Sequence, residues 1–105
     1  YQNTRRFILS KENPYYYEGA AAKGIGSPHT PDRYIWHISL IMQALTTQEE
    51  AERQRCLEML AGTHAGTNFM HEGFDVDNPA HFTRSWFAWA NSLFAYLMEK
   101  LLLDE

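Results

Sequence analysis

From Tyr34 onward the apolar residues recur at helical spacing. Ile35, Ile38, Ile41 or Met42, and Leu45 predict a first helix over about residues 34–45. Thr46 and Thr47, each followed three residues later by Glu49 and Glu50, offer two overlapping capping boxes. They introduce a second helix over about 48–61, with Ala51, Leu57 and Leu60 among its inner positions and Gly62 as its stop. A loop follows from His64 to Phe82, punctuated by Gly66, Gly73 and Asn78-Pro79. Thr83 is placed to cap a last helix over about 84–103, with Trp86, Trp89 or Ala90, Leu93, Leu97 and Leu101 on one face. Ahead of these elements, residues 1–33 read mainly as irregular chain. Arg5-Arg6-Phe7-Ile8-Leu9-Ser10 fits a short helix end or a strand, and Asn13-Pro14 and Gly24-Ile25-Gly26-Ser27-Pro28 are turn chemistry. The order is loop, helix, helix, loop, helix, without convincing strand alternation, and the expected fold class is all-α.

The last helix is apolar around much of its circumference, because Trp86, Phe87, Trp89, Phe94, Tyr96 and Met98 spread beyond a single stripe. Such a helix needs neighbours on most sides, which favours membership of a larger assembly over a free-standing three-helix unit. The chain has 105 residues, enough for one compact core. Its 45% hydrophobic content argues against disorder. A net charge of −4 with scattered acids repels polyanions, so no nucleic-acid partner is expected. No apolar run approaches the roughly 20 residues that span a bilayer, so no membrane partner is expected either. Cys56, the one cysteine, lies in a helical pattern and reads as a small buried thiol. The start at Tyr1-Gln2-Asn3-Thr4, without an initiator Met or signal-peptide pattern, is a hint of a fragment.

Candidate chemistry concentrates in Thr67-Asn68-Phe69-Met70-His71-Glu72-Gly73-Phe74-Asp75-Val76-Asp77. A carboxylate and a histidine stand there beside a glycine, in a loop between well-defined helices, where reactive groups usually sit. Phe69, Met70 and Phe74 offer Glu72 partial shelter from water. A solvated surface turn accounts for the same residues from spacing alone. His71, Glu72, Asp75, Asp77 and His81 would supply enough ligands for a divalent ion. Their order matches neither His-Glu-x-x-His nor a calcium loop, and Asp75 to Pro79 looks more like an Asx-turn series. Gly24-Ile25-Gly26 is too short for a dinucleotide fingerprint. Flat aromatics interleaved with polar side chains at 27–30, 34–37 and 84–91 suit a sugar, which has apolar C–H faces and a rim of hydroxyls. Core packing explains any single ring at least as well. Arg84 at a predicted helix start is unfavourable to the helix dipole, a mild conflict that raises its interest as a functional residue.

At these residues the sequence resembles glycoside hydrolase family 125, the metal-independent exo-α-1,6-mannosidases. The resemblance rests on the stretches 5–15, 23–30 and 34–36, then on Phe69-Met70-His71-Glu72 and Phe82-Thr83-Arg84-Ser85-Trp86-Phe87-Ala88-Trp89-Ala90-Asn91-Ser92-Leu93-Phe94. These run in order across nearly the whole chain. The resemblance implies that residues 1–105 are the C-terminal part of a single (α/α)6-barrel catalytic domain, about three helices plus long pocket-lining loops, with the rest of the domain upstream. It implies an inverting hydrolase acting on terminal α-1,6-linked mannose of N-glycan type, with no cofactor and no metal. Glu72 then matches the general base, its acid partner lying outside this chain, so the isolated segment is expected to be inactive. His29, Trp36, His71, Arg84 and Asn91 fall in family-like stretches as candidate substrate-binding residues. Departures from the family pattern are Asp32-Arg33, His37, Asn68 and Gly73, the last bearing on how rigidly Glu72 is held. The alternatives are a non-catalytic carbohydrate-binding module, a helical interaction unit, or a glycosidase of the same barrel type with other sugar specificity.

Overall fold

The structure, a computed structural model, describes residues 2–67, 69–84 and 86–103. Asn68 and Ser85 lie outside the described residues. Four helices are present among these: α1 (Gln2–Ile8), α2 (His37–Thr46), α3 (Glu50–Gly62) and α4 (Ala88–Leu103). They are interleaved with β1 (Tyr16–Glu18), β2 (Lys23–Ile25), β3 (Tyr34–Trp36), β4 (Gly73–Asp75) and β5 (Phe82–Thr83). β1 and β2 form an antiparallel pair, and β3, β4 and β5 form a second antiparallel sheet with β4 in the middle. The all-α expectation, with its content of about three helices, is therefore overturned: the unit is mixed α/β. The physical reason is strand length. Strands of two or three residues cannot display alternation over the four to eight residues on which a period of 2 becomes readable. Tyr34-Ile35-Trp36 also abuts α2 directly, so its apolar positions merge into the helical run that follows.

Boundaries move accordingly. The first long helix starts at His37, the second at Glu50 and the last at Ala88. The stretch at Arg5 resolves as helix α1. α2 buries His37, Leu40, Ile41 and Ala44, the i, i+3, i+4, i+7 positions of one stripe, and packs against both α3 and α4. α3 buries only Cys56 and Leu60, and α4 only Ala90 and Leu97. Burial pushes the Cys56 thiol up to about 11, which leaves it an inert apolar filler. The capping boxes at Thr46 and Thr47 do not form. Glu49 takes the N-cap position without a side-chain bond, while the Thr47 hydroxyl accepts from the Glu49 N–H and is hydrogen-bonded to Glu52.

The core joins the three-stranded sheet to α2: Ile35, Leu40, Ile41, Phe74 and Val76 are completely buried. Each such side chain contributes roughly 1.5–3 kcal/mol by leaving water. Gly24 and Gly26 serve this packing. A Cβ on Gly24 would stand 3.1 Å from Ile35 Cδ1, and one on Gly26 would overlap the Tyr34 carbonyl oxygen. The Gly-x-Gly pattern thus lets β2 lie close against β3.

Candidate active site

Glu72 is the residue immediately before β4, and the main chain around it is bonded residue by residue to three other elements. The Met70 N–H donates to Asn91 Oδ1 at 3.0 Å, and the Met70 carbonyl accepts from Asn91 Nδ2 at 2.9 Å and from the Phe87 N–H at 3.2 Å. The His71 N–H donates to His37 Nδ1 at 2.7 Å. The Glu72 N–H donates to the Thr83 carbonyl at 3.3 Å, and the Gly73 N–H to Thr83 Oγ1 at 3.1 Å. Four consecutive amides therefore find partners on α4, α2 and β5. The stretch is a loop by sequence and a braced segment by bonding, the condition under which a reactive side chain keeps one position.

The Glu72 side chain is 18% exposed, and its Oε1 lies 3.4 Å from Arg84 Nε. Arg84 follows β5 directly and adopts φ 51, a left-handed conformation that costs an L-residue about 1–2 kcal/mol. Its guanidinium carbon stands 6.0 Å from the centre of the Phe87 ring. Phe87 meets Trp36 edge-on at 6.3 Å and Trp89 at 5.7 Å. Trp36 is opposite Gly73 in the β3–β4 register, and its Nε1–H donates to Thr30 Oγ1 at 3.1 Å. A carboxylate, a cation and three indole or phenyl rings are thereby gathered at one end of the sheet, with Trp89 70% exposed. This composition suits a ligand with alternating apolar faces and hydroxyl rims.

Of the residues singled out in the sequence, Glu72, Arg84 and Trp36 come together here, the last through Phe87. His29 is exposed in the turn before Thr30, its N–H donating to Ser27 Oγ at 3.1 Å within that turn. His71 is fully buried with its ring stacked on Phe82 at 3.9 Å, and its Nε2 is 3.2 Å from the His64 carbonyl. Asn91 spends its amide on Met70 and on the Phe87 carbonyl, 2.8 Å away. Both His71 and Asn91 lie behind the carboxylate as support. Asp75, Asp77 and Asn78 form turn bonds: Asp75 Oδ1 accepts from the Asp77 N–H, Asn78 Oδ1 from the Ala80 N–H, and Asp77 also reaches Ala20 and Arg33. Among the described residues no three His, Cys, Asp or Glu side chains converge as a metal-ligand set.

His37, Thr83 and Phe87 were not singled out as site residues from the sequence. His37 fell on a predicted helix interior and Thr83 on a predicted cap. The β3–β4 pairing joins segments about 40 residues apart and the β4–β5 pairing segments about 10 apart, and neither local pattern carries that signal.

The profile of the family described as metal-independent alpha-mannosidase (GH125) matches residues 1–99. The chain is 50% identical over 103 residues to the Meiotically up-regulated gene 157 protein of Schizosaccharomyces pombe, covering 97% of this chain and 20% of that relative. It also matches the structure of a Streptococcus pneumoniae metal-independent alpha mannosidase in a non-productive complex with alpha-1,6-mannobiose, with 52% identity and a TM-score of 0.88. That match covers 91% of this chain and 22% of the solved chain. The chain thus spans about a fifth of the length of the relatives it matches. The match over residues 1–99 takes in both the braced Glu72 stretch and the aromatic segment beside it, and the chain belongs to the metal-independent α-mannosidase family GH125.

Proposed function

We propose that this chain is the part of an inverting exo-α-1,6-mannosidase that supplies the general base, Glu72, and one side of the sugar pocket. The observation that carries the reading is a partly buried carboxylate on a fully bonded main chain, beside a cation and a group of aromatic rings. Family membership supplies the reaction class. In an inverting hydrolysis, one carboxylate draws a proton from the attacking water while a carboxylic acid protonates the leaving oxygen from the opposite face. The two carboxyls stand roughly 6.5–9.5 Å apart to admit that water.

Glu72 takes the first role. The acid belongs to another part of the same catalytic domain, outside this chain, so the segment by itself does not turn over substrate. Trp36, Phe87 and Trp89 offer faces and edges to the C–H surface of a terminal mannose. Arg84 donates to its hydroxyls while holding Glu72 in place, and His29 stands at the rim. His71 and Asn91 act through the main chain they support. No step calls for a metal or cofactor. The substrate is an oligosaccharide ending in α-1,6-linked mannose, of N-glycan type.

The test is hydrolysis of α-1,6-mannobiose by the full-length protein that carries this segment, wild type against Glu72→Gln, with anomers followed by NMR in the presence and absence of chelator. Release of β-mannose unaffected by chelator, with turnover lowered about 10²–10⁴-fold in the folded variant, is the expected result. Robust turnover by Glu72→Gln removes the base role from Glu72. Release of α-mannose removes the inverting mechanism.

A further inference from the structure

We infer that His37 is a positioning residue for the Glu72 carboxylate: its imidazole fixes the main chain at His71 through the amide that immediately precedes Glu72. This inference rests on the reading of Glu72 as the base. His37 opens α2 and is completely buried. Its Nδ1 receives the His71 N–H at 2.7 Å. A backbone N–H can only donate, so Nδ1 carries a lone pair and the ring proton is on Nε2. Nε2 lies 2.9 Å from Thr63 Oγ1, and that hydroxyl has its own acceptor, the Met59 carbonyl at 2.7 Å. Every proton along the chain from His71 N–H through His37 and Thr63 to Met59 therefore has a single place. The ring is clamped between Phe74 and His71, at 4.6 and 5.3 Å between centroids.

The consequence is mechanical. One imidazole ties the Glu72 stretch to the start of α2 and to the C-terminal end of α3, on the opposite side from the Thr83 bonds of β5. The main chain that carries the carboxylate is thus held from both sides just ahead of β4. A base misplaced by even 1 Å loses about 10²-fold in rate, so removing the tie is felt in turnover more than in substrate binding. Burial and the neighbouring His71 ring push His37 down to about 3, so it stays a neutral acceptor throughout the working range of an enzyme.

The experiment compares His37→Leu, which removes the acceptor, with His37→Asn, whose Oδ1 occupies the place of Nδ1. Both are made in the full-length protein beside Glu72→Gln. Expected in His37→Leu is a fall in kcat of about 10–10²-fold with KM within about twofold, and return of kcat to within about threefold of wild type in His37→Asn. Wild-type kcat in a folded His37→Leu protein, or a folded His37→Asn protein as slow as His37→Leu, overturns the inference. Should His37→Leu fail to fold, the His37→Asn rate decides alone. Should neither fold, hydrogen exchange in the wild type decides, since the His71 amide must exchange far more slowly than exposed loop amides. An active Glu72→Gln protein defeats the base reading separately, and the exchange rate at His71 still reports on the tie.

Discussion

Arg84 adopts a backbone conformation that its side chain disfavours, next to Glu72, the carboxylate proposed as the base. An ion pair at 3.4 Å whose arginine is 65% exposed is worth about 1 kcal/mol, so the pair alone does not offset that strain. The β5 bonds on one side of Arg84 and the Phe87 N–H bond to the Met70 carbonyl on the other hold the chain against that strain. His37 shows the same logic in a titratable group. Its folded pKa of about 3 lies below the ordinary value of 6.5, because burial, and then the nearby His71 ring, penalise the cation. The unfolded chain therefore takes up this proton more readily between those values. The contribution of His37 to stability is complete above about pH 6.5 and is lost as pH falls towards 3, by up to about 1.4 kcal/mol per pH unit. The unfolding midpoint of the wild type, followed from pH 7 to pH 5.5, should drop more steeply than that of His37→Asn. Parallel curves for the two proteins would show that the buried imidazole is not what titrates. In the sequence His37 was a departure from the family pattern within the aromatic and polar stretch 34–37, and its importance depends on an amide 34 residues away.

At the scale of elements, the periodic helices were the readable part. The inner positions assigned to the last helix were met by Ala90 and Leu97, with Leu93 and Leu101 packed partly against the core, whereas Trp86 and Trp89 proved exposed. The strands were not readable, because each is too short to express a period. Thr83, expected at a helix cap, instead donates to the Gly73 carbonyl and accepts from its N–H across the sheet. Asn91 was expected to touch substrate and is the staple between α4 and Met70. Asn91→Ala removes three hydrogen bonds and strands the Met70 amide in a buried position, at a cost of about 1–3 kcal/mol. Denaturant titration should show that loss. An unchanged midpoint, together with weakened sugar binding, would instead return Asn91 to the pocket.

At the scale of the whole molecule, α4 leaves large apolar side chains uncovered: Trp89 is 70% exposed, Leu102 71% and Leu103 77%. Large apolar side chains exposed to this degree along one helix favour a partner. Expressed alone, residues 1–105 should self-associate, and sizing chromatography coupled to light scattering should find species larger than 12.2 kDa. A sharply melting monomer would contradict that expectation. Much about this protein is determined by sequence alone: the three long helices through the period of their apolar positions, the buried thiol, the Asx turns before Ala80, and the family through ordered local segments. Glu72 could be nominated because it lies within one such segment. Only the tertiary structure decided that the unit is mixed α/β, that Gly24 and Gly26 admit β2 against β3, and that His37, Thr83 and Asn91 brace the carboxylate. The reason is range: periodicity and turn chemistry act over a few residues, whereas strand pairing and the ties to Glu72 join residues separated by 10 to about 40 positions.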